Sequence, residues 1–215
     1  MESVFNKIRF KITAILIFVA CSYSQLTHAQ PDSIKWVNKI LNNINYVIPD
    51  MDVMNDGSSV ITTEYFNFYS INYDTVYHPS ALLNLLIQKF DPNGVSSWAL
   101  IIDNVILLNS PFLNINKTTN DIYISFIIDS ITTYNGNNIW GLTIMKFNSS
   151  GSLIWTRSIS NNSESYLYES SMDENGNLYL NGKCNMITGL FPGCSISSSG
   201  LNDNYFVADW MKTQI

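Results

Sequence analysis

Apolar residues in this chain fall in short runs, many alternating with polar positions, and the runs are separated by clusters of Asn, Asp, Gly and Ser. Such runs predict β-strands bounded by turns. Three of these features recur in the same order about every sixty residues. The first is a tryptophan strand, read as Ile34-Lys35-Trp36, Ser96-Ser97-Trp98 and Leu153-Ile154-Trp155. The second is a turn that opens into an apolar run: Asp56-Gly57-Ser58-Ser59-Val60-Ile61, Asn120-Asp121-Ile122-Tyr123-Ile124 and Asn175-Gly176-Asn177-Leu178-Tyr179-Leu180. The third is Leu86-Ile87-Gln88-Lys89-Phe90, Thr143-Ile144-Met145-Lys146-Phe147 and Phe206-Val207-Ala208-Asp209-Trp210. Three registers agreeing on one period mark a repeat architecture, in which each unit buries its faces against its neighbours.

Counted from one tryptophan to the next, each unit offers four extended runs. They are Trp36 to Leu41, Tyr46 to Met51, Val60 to Thr63 and Leu82 to Phe90; then Trp98 to Ile102, Phe112 to Ile115, Ile122 to Phe126 and Leu142 to Phe147; then Leu153 to Ile159, Tyr166 to Met172, Leu178 to Leu180 and Tyr205 to Trp210. Four strands per repeat is the content of a propeller blade. The expected fold is therefore all-β, with about three four-stranded propeller-type blades over units 30–97, 98–154 and 155–215. Asp91-Pro92-Asn93-Gly94 and Asn148-Ser149-Ser150-Gly151 occupy the same place in successive units and read as hairpin turns joining a Lys-Phe strand to a tryptophan strand. The variable stretches Glu64 to Ser80, Asp129 to Asn138 and Lys183 to Asn204 read as loops at one rim. Ser33 to Asn45 also carries apolar residues at helical spacing, but the repeat register favours a strand there.

Composition narrows the partners. The 215-residue chain has 17 acidic and 11 basic side chains, a net charge of −6, which gathers neither nucleic acid nor an anionic membrane. Residues 1–29 read as a signal peptide, with Lys7, Arg9 and Lys11 ahead of an apolar run from Ile12 to Cys21 and Thr27-His28-Ala29 before the cut. The apolar run is about half the length of a membrane-spanning helix. The alternative is a lipoprotein anchored through Cys21, on the string Phe18-Val19-Ala20-Cys21. In an exported chain Cys184 and Cys194 form a candidate disulfide, with two free thiols as the alternative.

The strings Met172-Asp173-Glu174-Asn175-Gly176-Asn177-Leu178-Tyr179-Leu180-Asn181-Gly182 and Asp203-Asn204-Tyr205-Phe206-Val207-Ala208 resemble the bacterial β-propeller repeat called SBBP. Lys146-Phe147-Asn148-Ser149-Ser150-Gly151-Ser152-Leu153-Ile154-Trp155 and Lys89-Phe90-Asp91-Pro92-Asn93-Gly94 are similar to the part of that repeat that closes a blade. The resemblance implies a secreted protein of the kind common in Bacteroidetes, and it supplies no shared catalytic residues. Three units fall short of the four or more blades of a closed propeller. The expectation is a truncated or open ring whose exposed blade faces and strand edges favour self-association.

Candidate chemistry is sparse. His78 lies in a variable loop with no oriented partner nearby in sequence, which argues against nucleophile activation. Asp50, Asp52 and Asp56 suggest clustered oxygen ligands, yet Met54 holds a ligand position and no Glu closes the loop, so they read as turn acids. Trp36, Trp98 and Trp155 recur at strand positions and read as packing residues. Tyr69, Tyr73, Tyr77 and Tyr134 in the variable stretches, with Trp140 just beyond the second, are the candidate binding residues, for a protein or glycan ligand. No catalytic residue, metal site or cofactor is assigned. The functional expectation is an exported, non-enzymatic binding or scaffolding module at or outside the cell surface. Its alternatives are a propeller-fold hydrolase or lyase acting on a surface polymer, or a fragment without independent function.

Overall fold

Tight turns set the plan of the molecule. The computed structural model describes residues 40–42, 49–66, 68–71, 74–77, 83–159, 166–184 and 204–210, all within one unit, Asn38–Ile215. These residues form fourteen strands: β1 Ile40–Asn42, β2 Asp50–Val53, β3 Ser59–Tyr65, β4 Phe68–Ile71, β5 Asp74–Tyr77, β6 Asn84–Phe90, β7 Ser96–Ile102, β8 Phe112–Ile115, β9 Ile122–Tyr134, β10 Asn137–Phe147, β11 Leu153–Ile159, β12 Tyr166–Met172, β13 Leu178–Cys184 and β14 Asn204–Trp210. All pairings are antiparallel. The first large sheet runs β2-β3-β6-β7, the second β8-β9-β10-β11 and the third β12-β13-β14, and β1-β4-β5 form a small sheet. None closes on itself. Among the described residues no helix is long and apolar enough to cross a membrane.

Four of the connections repeat one piece of chemistry. In Asp91–Val95 the Asp91 N–H donates to the Val95 carbonyl at 2.8 Å and the Gly94 N–H to the Asp91 carbonyl at 2.9 Å. The same two bonds join Asn148 with Ser152 and Gly151, Asp173 with Asn177 and Gly176, and Met54 with Ser58 and Gly57. Each turn needs a left-handed residue near its end, and Gly57, Gly94, Gly151 and Gly176 supply it with φ between 81° and 85°. The side chains of Asp91, Asn148 and Asp173 accept further N–H groups from within the turn, as Asx residues do.

A turn this tight obliges the strands it joins to pair. The Asp91–Gly94 and Asn148–Gly151 turns therefore place the tryptophan strands β7 and β11 in the sheets of the Lys-Phe strands that precede them. Each sheet accordingly begins one strand later than a unit counted from tryptophan to tryptophan. Asp129 to Asn138, expected as a loop, continues β9 and β10 into a long hairpin that turns at Asn135 and Gly136, with φ of 48° and 74°. Two consecutive positive φ values are what a two-residue hairpin needs to match strand twist. Part of the expected helix-or-strand segment, Ile40–Asn42, is a strand; Trp36 lies outside the described residues.

The second sheet is buried on both faces. On β9, Ile122, Ile124, Phe126 and Ile128 pack in a cluster with Val60, Leu85, Ile87 and Ile102 of the first sheet. The intervening Tyr123 and Ile127 pack with Leu167, Leu178 and Leu180 of the third. On β10, Met145 and Phe147 face the first sheet while Leu142 and Ile144 face the third. This sandwiching explains why β9 starts as a continuous apolar run rather than an alternating one.

Side chains cross between sheets over the turn glycines. The Trp98 ring lies over Gly151, where an added Cβ would come within 3.1 Å of it, and its indole N–H donates to the Ser149 carbonyl at 3.3 Å. Gly151→Ala is expected to cost about 1–3 kcal/mol from its left-handed backbone, plus a contact penalty with Trp98. Gly136→Ala, at φ 74° with nothing within 4 Å, should carry the backbone cost alone. Urea titration of both variants checks this, and equal losses would contradict the Trp98 contact.

Candidate functional site

Strands β2 and β8 bring a group of polar side chains and edge amides together. Among the described strands β8 pairs only with β9, so the outward N–H groups of Leu113 and Ile115 have no backbone ladder partner there. The carboxylates of Asp50 and Asp52 on β2 take them, at 2.7 and 2.8 Å. Each carboxylate uses its other oxygen on the N–H of its own next residue, Met51 at 2.8 Å and Val53 at 2.7 Å. The Lys117 ammonium, from the β8–β9 turn, bonds both the Asp52 carboxylate and the Val53 carbonyl, and the Asn55 amide bonds the Lys117 carbonyl. Asp50 and Asp52, two of the acids that suggested metal ligands, thus form the seam between the first and second sheets, while Asp56 bonds Ser58 within its turn.

Other charged groups hold structure in the same way. Lys146 forms an ion pair with Asp121 at 2.8 Å and lies 5.2 Å from the centre of the Tyr123 ring. Burial alone would lower its pKa, but the Asp121 carboxylate and the Tyr123 side chain outweigh that and raise it. Tyr123 meets Trp155 edge-on at 6.1 Å, and the Arg157 guanidinium lies over Trp155 at 5.9 Å. Asp173 is held below its usual range by the Asn177 backbone N–H, then by the Asn177 amide and the Tyr179 hydroxyl. Asp91 is lowered mainly by the Val95 N–H, and Asp56 by the Ser58 hydroxyl. Among the described residues no three His, Cys, Asp or Glu side chains gather as metal ligands.

Glu64 is different. It stands opposite Leu85, on the face of the first sheet turned toward the second, and it is buried. Burial pushes its carboxyl up to about 7, against the Leu107 N–H that pulls it down.

The candidate aromatics are dispersed. Tyr134, at the tip end of β9, is half-buried edge-on against Phe147 at 6.3 Å, and burial raises its hydroxyl. Trp140 sits at an irregularity in β10 between Ile139 and Gly141 and is 38% exposed. Tyr69 and Tyr77 lie on the paired strands β4 and β5. Tyr73, His78 and Cys194 lie outside the described residues, and Cys184 ends β13.

A cleft of about 240 Å³ on the third sheet, lined by Glu169, Ser171, Tyr179, Leu180 and Asn181, has no counterpart in the sequence reading. An irregularity in the β12–β13 pairing between Leu167 and Glu169 sets its geometry. Leu167, Leu178 and Leu180 face the second sheet, whereas Glu169 and Ser171 stand opposite Asn181 and Tyr179 on the other face. The Tyr179 hydroxyl donates to Asp173 at 3.2 Å, which anchors the ring. A carboxylate, a hydroxyl, an amide and a phenol ring on a flat strand floor can recognise polar main-chain or hydroxyl groups. Comparison of the chain with protein-family models, curated proteins and solved structures finds no match.

Two outcomes follow from the seam and the buried acid. Asp50→Ala or Asp52→Ala strands a β8 N–H group and should cost about 1–3 kcal/mol, measured by urea unfolding. An effect below about 0.5 kcal/mol, the range of ordinary surface changes, would contradict the seam. For Glu64, the unfolded chain releases its proton near the ordinary value of 4.5 while the folded protein holds it to about 7. The unfolded state therefore binds fewer protons in that window, and stability falls as pH rises through it. Glu64→Gln should remove this slope, and an unchanged slope would contradict the assignment.

Proposed function

We propose that the chain is an exported propeller-type module whose three large sheets act as blades, and that it binds or scaffolds at or outside the cell surface rather than catalyses. The observation that carries this reading is the use made of six of the described aspartates. Asp50, Asp52, Asp56, Asp91, Asp121 and Asp173 each hold a turn, a strand edge or an ion pair. Acids committed in this way are poorly placed for proton transfer, and hydrogen bonds hold Asp56, Asp91 and Asp173 below the usual carboxylate range. The blade reading is supported by the face-to-face packing of successive sheets and by the same turn closing equivalent hairpins. The SBBP-like strings and the basic-then-apolar N-terminus support export.

Purified full chain incubated with bacterial surface polysaccharides is expected to release no reducing ends or unsaturated products. Release that disappears in Asp173→Asn would overturn the binding reading in favour of a hydrolase or lyase. Electron microscopy is expected to show the sheets arranged about a common axis; a flat stack without one would overturn the blade reading.

A further inference from the structure

Strand pairing puts three pairs of residues in equivalent places. Val60, Tyr123 and Tyr179 each follow a left-handed turn residue, Gly57, Asn120 or Gly176, by three positions. Their partners on the inner strands are Asp52, Asn114 and Ser171. Two residues earlier on those strands stand Asp50, Phe112 and Glu169, opposite Thr62, Ser125 and Asn181. In the first two sheets this pair reaches toward the next sheet. Asp50 and Asp52 take the β8 edge N–H groups. Phe112 packs in the core shared with the third sheet, and the Asn114 amide donates to the Ser170 hydroxyl at 2.7 Å.

In the third sheet the same two places hold Glu169 and Ser171, both exposed, on the floor of the cleft with Tyr179 and Asn181. The carboxylate is back at the position where Asp50 carries one. Building on the reading of the chain as a binding scaffold, we infer that Glu169 and Ser171 form a docking site for the edge of an extended strand from another polypeptide, accepting main-chain N–H groups two residues apart. This is strand-edge recognition with side-chain oxygens in place of a ladder. The site continues the β2–β8 seam by one sheet.

Among the described edges, the two that meet in the seam, β2 and β8, argue for a foreign strand. The outward amides of β2, Met51 and Val53, are already held by Asp50 and Asp52, and those of β8 by the same two carboxylates. A second copy therefore brings both of these edges already occupied.

The test uses a fluorescent peptide of residues 110–122, whose Leu113 and Ile115 amides fit a carboxylate pair in the parent fold, titrated with the full chain by polarisation. Binding is expected, weakened about tenfold or more by N-methylation at Leu113 and Ile115 but not at Asn114, and weakened alike by Glu169→Ala in the protein. Glu169 is exposed, and an unchanged melting curve would show that the variant folds. No binding, or binding that survives both N-methylation and Glu169→Ala, overturns the site. Self-association of the chain in light scattering that is lost with Glu169→Ala overturns the foreign strand in favour of a second copy. Polymer turnover would sink the scaffold reading, whereas insensitivity to N-methylation would sink only this inference.

Discussion

Burial of the second sheet on both faces is the constraint on which the other features depend. A sheet with apolar side chains on both sides must be covered twice, and Phe126 and Ile127, adjacent on β9 and both fully buried, point into different cores. The first and third sheets supply those covers. Sheets can approach face to face only where their connections stay short and bare, and the glycine turns meet that need. At Gly151 the Trp98 ring lies against the turn, and at Gly176 the Asn116 side chain does the same. A side chain at either place would push the sheets apart.

Stacking leaves the sheet edges to be satisfied. The first strand of each large sheet pairs on one side only, and unmatched N–H groups at a sheet edge invite association. Between the first and second sheets the solution is ionic: two carboxylates spaced two residues apart meet two amides spaced two residues apart, and Lys117 balances the charge beside Asp52. Between the second and third an amide-to-hydroxyl bond from Asn114 to Ser170 stands beside apolar packing. The third sheet presents polar groups outward, with Asn181 where Ser125 and Thr62 stand in the other two.

Local patterns were legible in the sequence because they act locally. The turns at Asp91, Asn148 and Asp173 combine an Asx residue with a glycine three positions later, and every one forms as that chemistry requires. The strand runs at Leu86 to Phe90, Ile122 to Phe126 and Leu142 to Phe147 are strands. Sheet membership was harder, since a period of tryptophans does not say on which side of Trp98 or Trp155 a sheet ends; the hairpin turns decide it. Polar composition made Asp129 to Asn138 look like a loop, although Asn135-Gly136 carried the hairpin signal. The seam was hidden, because Asp50 and Asp52 meet Leu113 and Ile115 across about sixty residues. The cleft was hidden too, because an irregularity beside Glu169 decides which way β12 turns its side chains.

Amide hydrogen exchange at Leu113 and Ile115 tests the stacked-sheet account most directly. These amides lie on an edge strand and have no ladder partner on that side, so their protection reports the carboxylate seam rather than the sheet. The account predicts slow exchange at both, comparable to the interior amides of β9, with loss of that protection when Asp50 and Asp52 are replaced by Ala. Exchange as fast as that of open loop amides in the unmodified protein would contradict it.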